Sequence, residues 1–556
     1  MTLKRVVIIG GVAGGMSLGM SAATRMRRLD ESAEIIVFER GGEVSFANCG
    51  LPYHLSGVIA ERSSLVLQTP RGLGARFRLD VRVRSTVTAI DPVTRTVSVL
   101  PADGAAYELG YDKLILATGA SPIRPEIPGA DRAHVLRDLD DLDRIVSALD
   151  DAPRTAVVLG AGYVGLEVAE NLAHRGVTTS VVQRDPQILT GFDPEMAQPV
   201  ACQLEGNGVR LHTGATAVRI DADSVTLDDG TEVPAELVIS AIGVRPETDL
   251  AVRAGLEIGP RGGVAVDHEL RTSDRDIYAI GDAAEKADAI FGGTRLLALA
   301  GPANRHGRLV ADSIAGRPIS ARPSYGVAIV SVFGLAAASV GASEKQLRAA
   351  GRAYRAIHTH PQQHTGYYPG ARPISLKLLV DPVDDAILGA QAVGMEGADK
   401  RIDVIATAMS SGRTASELAE LELAYAPQFG SAKDPVNMLG YVNENLRDGL
   451  DRTIQWHELE GALAAGARLI DVRARGQLSE GSIPGSAWIP VEELRARADE
   501  LKGGPIVIHC RVGQSAHTAV RLLTELGVDA VNLDGGYLTW RDGTAARDAA
   551  ASIAAA

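Results

Sequence analysis

Three cysteines lie far apart in the 556 residues, and two of them stand where a thiol could do chemistry. Cys49 sits within Ser45-Phe46-Ala47-Asn48-Cys49-Gly50-Leu51-Pro52-Tyr53-His54. The apolar strand Glu34 to Glu39 leads in, a short loop follows, and Pro52 suits the first turn of a helix. A helix N-terminus stabilises negative charge, so this address predicts a Cys49 that favours the nucleophilic thiolate. The competing reading is a buried thiol that packs as a small hydrophobe. Cys510 ends the apolar strand Pro505 to His509 and opens a six-residue loop to Ser515, before a helix running to about Leu526. Such a loop aims successive N–H groups at one point, a nest for a thiolate or its persulfide. Cys202 falls in a helix-like stretch and reads as core. The absence of any CxxC disfavours a disulfide scaffold or a zinc site, and no metal site is expected.

The elements that must position these thiols are two strand–turn–helix units. The first runs from strand Val6–Ile9 through Gly10-Gly11-Val12-Ala13-Gly14-Gly15 into a helix ending near Arg28, and its second strand closes on Glu39. Glycines let the backbone approach a pyrophosphate, the helix N-terminus faces it, and the acid accepts from a ribose hydroxyl. Val12 stands where the strict pattern has its second glycine. Gly-Met-Ser occurs at 15–17 and again at 19–21, which reads as an insertion of about one helical turn. The second unit is cleaner: strand Ala156–Leu159, then Gly160-Ala161-Gly162-Tyr163-Val164-Gly165, a helix to His174 and strand Thr178–Gln183. That strand ends in Gln183-Arg184 rather than an acid, which favours NADPH or use of both nicotinamide cofactors. Ala117-Thr118-Gly119 and Ile280-Gly281-Asp282 each close a further strand with a tight turn.

Taken in this order, the two glycine turns, Thr118-Gly119 and Gly281-Asp282 resemble the flavoprotein disulfide reductases. The resemblance implies FAD on the first fold, with Asp282 at the ribityl–phosphate part and Glu39 at the adenosine ribose, and NADPH or NADH on the second. A two-cysteine reductase needs CxxxxC, and here the fifth position after Cys49 is His54. Chemistry at Cys49 then runs through a mixed disulfide with substrate, a persulfide or a sulfenic acid. The single-cysteine segment resembles the coenzyme A disulfide reductases. After Gly449, the strand Arg468–Arg473, the turn Glu480–Ser486, the Cys510 loop and Asp534–Trp540 resemble one rhodanese domain, so the whole chain resembles the rhodanese-fused subgroup that reduces CoA persulfides or polysulfides. Ser482 and Ser515 depart from the rhodanese pattern, while Arg511 keeps a positive charge beside Cys510. By the same resemblance Tyr367, with Tyr368 as its rival, and Tyr425 act as acid or hydrogen-bond donor across a homodimer. Arg25, Arg28, Arg71, Arg305, Ser45 and Asn48 are candidates for holding coenzyme A, as is Arg511 for a sulfur donor. Two other functions fit parts of the pattern: an NAD(P)H oxidase or peroxidase cycling Cys49 through sulfenic acid, and a redox sensor whose rhodanese domain recruits a partner.

The expected architecture is α/β: two Rossmann-like folds, an α+β dimerisation domain and an α/β rhodanese domain. The boundaries read as FAD domain 1–152 and 241–322, NAD(P) domain 153–240, dimerisation domain 323–441, a flexible linker 442–452, rhodanese domain 453–546 and a disordered tail 547–556. A net charge of −13 argues against an extended nucleic-acid surface. No apolar run of about 18 residues is present to span a membrane. The first strand begins too early for a cleaved signal peptide, which predicts a cytoplasmic protein.

Overall fold

The computed structural model describes residues 5–12 and 18–555, and they form two units: Met1–Val182 with Thr216–Gly326, and Gln183–Ala215 with Val327–Ala556.

In the first unit, the runs Val6-Val7-Ile8-Ile9, Ile35-Ile36-Val37-Phe38 and Leu114-Ile115-Leu116 are apolar on both faces and almost fully buried. That is the signature of a parallel sheet covered on both sides. They form a five-stranded sheet in the order Ile277–Ala279, Lys113–Leu116, Arg5–Ile9, Glu34–Phe38, Asp80–Arg82, parallel throughout. The helix Leu18–Leu29 buries Leu18, Ala22, Ala23 and Met26 against this sheet. Because the chain returns with Ile277–Ala279 to the same sheet, Gly281 and Asp282 arrive at the strand ends where Gly10 begins its turn. The second dinucleotide fold has Thr155–Leu159 between Thr178–Gln183 and Leu237–Ser240, all parallel. Residues 183–215 of the expected NAD(P) domain group with the other unit, including the helix Pro194–Gly206.

The second unit holds a five-stranded antiparallel sheet in the order Ala328–Val332, Leu335–Gly341, Ile387–Gly394, Ile374–Val380, Arg355–Thr359. A parallel sheet follows in the order Thr453–Ile454, Ala530–Leu533, Ile506–His509, Arg468–Asp471, Ala487–Trp488.

Two expectations change here. Residues 442–447 are the last turns of the helix Pro435–Arg447, and Asp451 is buried with His517 bonded to it at 2.7 Å, so this stretch is structured and not a flexible linker. The alanine-rich tail continues the helix Gly536–Ala555, because alanine has the highest helix propensity and Ile553 packs on Gly214. Among the described residues no helix is long and apolar enough to cross a membrane.

Candidate active site

Cys49 lies in a single 3-10 turn, Asn48–Gly50, that runs into the short helix Leu51–Leu55 with Pro52 in its first turn. Leu51 and Leu55 are fully buried and anchor the turn, while the thiol itself is exposed. The helix is only five residues long and has few aligned dipoles to offer. Burial of the site together with the carboxylates of Glu167 and Asp282 pushes the Cys49 thiol up, against a smaller pull from Arg137. The expected thiolate preference is therefore not met in the protein alone: burial first, and then two negative charges, oppose the thiolate, and a short helix end offers little against them.

Three polar residues that sequence reading missed hold this segment. Along the helix Tyr163–His174 and its cap, Glu167, Asn171 and Arg175 recur every four residues and so share one face. Tyr53 Oη donates to Glu167 at 2.9 Å, Ser56 Oγ donates to Asn171 Oδ1, and Arg175 Nη1 donates to Leu55 O at 3.1 Å. The signal was present as three polar residues spaced four apart along the helix and its cap. Burial raises the Glu167 carboxyl, with the Tyr53 bond opposing, and burial together with the adjacent Glu167 charge pushes the Tyr53 phenol up in turn.

The two glycine turns show why their residue types are required. At Gly160, φ is +100°, and a Cβ there would lie 2.5 Å from Ala241 O. A Cβ on Gly165 would lie 2.0 Å from Gly160 O, so only glycine lets the helix pack on the turn. Gly162, at the helix N-cap, faces open space. In the first turn Gly10 has φ +98°, and it is Gly19 whose added Cβ would meet Gly10 O at 2.1 Å. Gly19 thus does what Gly165 does, four residues late, as the repeated Gly-Met-Ser implied. Ala13, Gly14 and Gly15 lie outside the described residues. The Glu39 carboxylate accepts from Gly11 N and Gly41 N, both at 2.8 Å. A cavity of about 310 Å³ runs along Gly10, Glu39, Gly42 and Thr118. Gly119 takes φ +73° and Thr118 Oγ1 donates to Glu247 O at 2.7 Å.

At the second thiol, Cys510 is buried, and its carbonyl accepts from Tyr537 N at 2.9 Å while Arg511 O accepts from Leu538 N at 3.1 Å. A Cβ on Gly536 would approach Cys510 O, Val512 N and Gly513 N within 2.6–2.9 Å, so this glycine closes the back of the loop. Arg473 donates to Asp471 and lies 4.6 Å over the Tyr537 ring, fixing the wall opposite. Arg511 is paired with Glu480 at 2.7 Å, so its charge is answered by a carboxylate instead of standing open toward Cys510. Burial drives His509, the residue before Cys510, down to about 4 despite Asp471 nearby, which keeps it neutral.

Tyr367 and Tyr425 come together on the second unit, hydroxyls 3.0 Å apart and both exposed. Tyr368 turns away and packs edge-on against His364, ring centres 5.6 Å apart.

Residues 4–307 match the family model described as pyridine nucleotide-disulphide oxidoreductase, and residues 327–435 match that family's dimerisation domain. The chain belongs to this family. The oxidoreductase carries a rhodanese-like domain at residues 455–542. It is 34% identical over 442 residues to the coenzyme A disulfide reductase of Staphylococcus aureus (strain bovine RF122 / ET3-1), covering 79% of this chain and 99% of that protein. Two solved structures extend the likeness through the rhodanese-like domain. Reduced Bacillus anthracis CoADR-RHD is 41% identical with a TM-score of 0.95, covering 98% of this chain and 99% of that one. A NAD-dependent persulfide reductase from A. fulgidus is 34% identical with a TM-score of 0.91, covering 96% and 100%.

Pyridine nucleotide-disulphide oxidoreductases use FAD and NAD(P)H. The residues of this oxidoreductase fit an FAD: Glu39 and Thr118 line the cavity, and Asp282 Oδ1 is buried with no hydrogen-bond partner among the described residues. Close by, the buried Lys286 donates to Gly281 O at 2.6 Å, and burial lowers it to about 8 with Asp282 opposing. The expected coenzyme A cations divide. Arg25 is committed to Asp312 at 2.7 Å, whereas Arg28, Arg71 and Arg305 are exposed. Ser45 is buried under the thiol segment, and Asn48 Oδ1 lies 3.8 Å from Cys49 Sγ. Arg184 is exposed, and Cys202, expected in the core, is exposed too, because its helix turns that face outward.

Proposed function

We propose that the chain is a homodimeric, cytoplasmic reductase that passes electrons from NAD(P)H through Cys49 to CoA persulfide, polysulfide or CoA disulfide, with Cys510 carrying sulfane sulfur. The observation that carries this reading is the exposed Cys49 at the mouth of its helix turn, with His54 and not a cysteine five residues on. The named relatives, a coenzyme A disulfide reductase and a persulfide reductase, support it.

In this reading Gly10, Gly11, Glu39, Thr118, Gly119, Gly281 and Asp282 hold FAD, which supplies two-electron transfer between the nicotinamide and the sulfur centre when bound. Ala13, Gly14 and Gly15 are assigned to the same turn from sequence. Gly160, Gly162 and Gly165 hold the nicotinamide dinucleotide, and Arg184 admits a 2′-phosphate. Cys49 as thiolate attacks the inner sulfur of CoA–S–SH or either sulfur of CoA–S–S–CoA. A Cys49–S–S–CoA bond forms, and hydrosulfide or CoA thiolate leaves. Tyr425 and Tyr367, already hydrogen-bonded to each other, donate to that leaving sulfur from the partner subunit. Two electrons originating from NAD(P)H would then cleave the mixed disulfide, returning the Cys49 thiolate and releasing the CoA thiolate. Arg28, Arg71, Arg305, Ser45 and Asn48 hold the coenzyme A; Arg25 does so only if it exchanges Asp312 for a phosphate. Arg511 would orient the sulfur donor at Cys510.

Stopped-flow spectroscopy of Cys49→Ser tests the assignment. Flavin reduction by NAD(P)H should proceed at the normal rate, with turnover on CoA disulfide and CoA persulfide reduced at least a thousandfold. Full turnover in that variant overturns the proposal.

A further inference from the structure

Two histidines at the end of the strand Arg355–Thr359 reach the wall of the Cys510 loop. His358 is buried, and its main-chain N and Nδ1 both bond the Asp534 carboxylate, at 3.1 and 2.7 Å. On its other side Nε2 meets Glu195 Oε1 at 3.0 Å, in the helix Pro194–Gly206. Glu195 also accepts from Trp456 Nε1 at 3.2 Å and from the fully buried Lys377, whose ammonium it shares with Asp193 and Glu344. Next to this, His360 Nε2 bonds Thr539 Oγ1 at 2.7 Å and its Nδ1 bonds Ser375 Oγ at 2.9 Å. Asp534 and Thr539 bracket the turn whose Tyr537 and Leu538 amides hold the carbonyls of Cys510 and Arg511. Gly535 lies so close that a Cβ there would be 2.8 Å from His358 Cβ.

We propose that His358 is a positioning residue for Cys510: shared between Asp534 and Glu195, it fixes the Asp534–Thr539 turn, and through that turn the persulfide-carrying loop. The physical reason is that a buried Asp534 carboxylate has to be answered by donors that are themselves held in place. A protonated imidazole between two carboxylates does this in one fixed direction.

The charge that changes is His358's own. Burial alone would lower it, but Asp534 and Glu195 outweigh burial and push it up to about 9. Lys377 is raised further by Asp193, Glu195 and Glu344 despite its burial, and stays charged. Burial and the neighbouring charges of His358, Arg511 and Arg541 drive His360 down to about 3, so it stays neutral. Glu195, although buried, is held below the carboxylate range by Lys377 and His358, and stays ionised.

The test is the alkylation of Cys510 by iodoacetamide in the full-length chain carrying Cys49→Ser and Cys202→Ser, with and without His358→Gln, from pH 6 to 10.5. All three tryptophans, Trp456, Trp488 and Trp540, lie in the rhodanese-like domain, so their fluorescence reports whether that domain remains folded. At pH 7 the glutamine variant should react at least tenfold faster than its parent, and the ratio should fall to about one by pH 10.5, where the parent has lost the His358 proton. Dividing the rates removes the ionisation of Cys510 itself. A ratio of one at pH 7 overturns the proposal, and so does a raised ratio that does not change with pH, which is what mere loosening would give. Should His358→Gln fail to fold, Asp534→Asn, which keeps the shape and removes the charge, is read in the same way. No turnover is measured, so the outcome is independent of the reductase cycle proposed above.

Discussion

Cys49 shows how a residue's neighbours can overrule its address in the chain. Burial of the site first, and then the charges of Glu167 and Asp282, oppose ionisation of its thiol, against a smaller pull from Arg137. Glu167 is held in place by the hydroxyl of Tyr53, four residues beyond the cysteine. Replacing Glu167 with Gln removes one of the two negative charges and keeps the Tyr53 bond. Cys49 in Glu167→Gln should therefore react with iodoacetamide several-fold faster at pH 7, and in Arg137→Gln more slowly. Peptide-mapped alkylation separates Cys49 from Cys202 and Cys510, and equal rates in all three proteins would show that these charges do not reach the thiol.

Among the elements, the glycine turns separate packing from binding. Gly165 carries a backbone contact that a methyl group cannot share, 2.0 Å from Gly160 O, and neither side is a flexible chain end. Gly165→Ala should destabilise the fold by roughly 1–3 kcal/mol through overpacking and open the turn. Among the described residues a Cβ on Gly162 would meet nothing within 4 Å, so Gly162→Ala should leave stability unchanged and raise KM for the nicotinamide cofactor by crowding the pyrophosphate. Urea denaturation and steady-state kinetics of the two variants check this pair. Equal losses of stability would mean that the turn is tighter at Gly162 than the structure shows.

At the scale of the molecule, the buried network around Lys377 and His358 makes stability depend on pH. His358 is raised from 6.5 to about 9 in the folded chain, so its contribution is complete below pH 6.5 and is lost as pH rises through about 9. The gap between 6.5 and about 9 corresponds to roughly 3 kcal/mol as an upper bound. On the acid side, burial works against Glu195 and Glu344, but Lys377 holds both below the usual carboxylate range. Their contribution is present above that range and is lost on acidification. Urea unfolding followed by tryptophan fluorescence should show a midpoint falling between pH 7 and 10, and His358→Gln should flatten that limb. A midpoint unchanged across this range in the parent would refute the linkage.

What could be read from the sequence was local. The turn Gly160–Gly165, the lone Cys49 with His54 five residues on, and the Cys510 loop are contiguous motifs whose backbone geometry or chemistry demands particular residue types. The repeated Gly-Met-Ser is equally local and marks an insertion of one helical turn, but that Gly19 is the glycine that packs on Gly10 came only with the structure. The partners were not legible. Tyr53 and Glu167 are 114 residues apart, His358 and Asp534 176, Arg25 and Asp312 287. No periodicity or spacing records such pairs, because folding creates them and burial then multiplies their electrostatic weight. The sequence by itself determined where the three sulfur atoms lie along the chain and which turns carry the glycine pattern of a dinucleotide site. Only the tertiary structure decided how charged those sulfurs are and what holds them, since both depend on groups brought from distant parts of the chain into a low-dielectric interior.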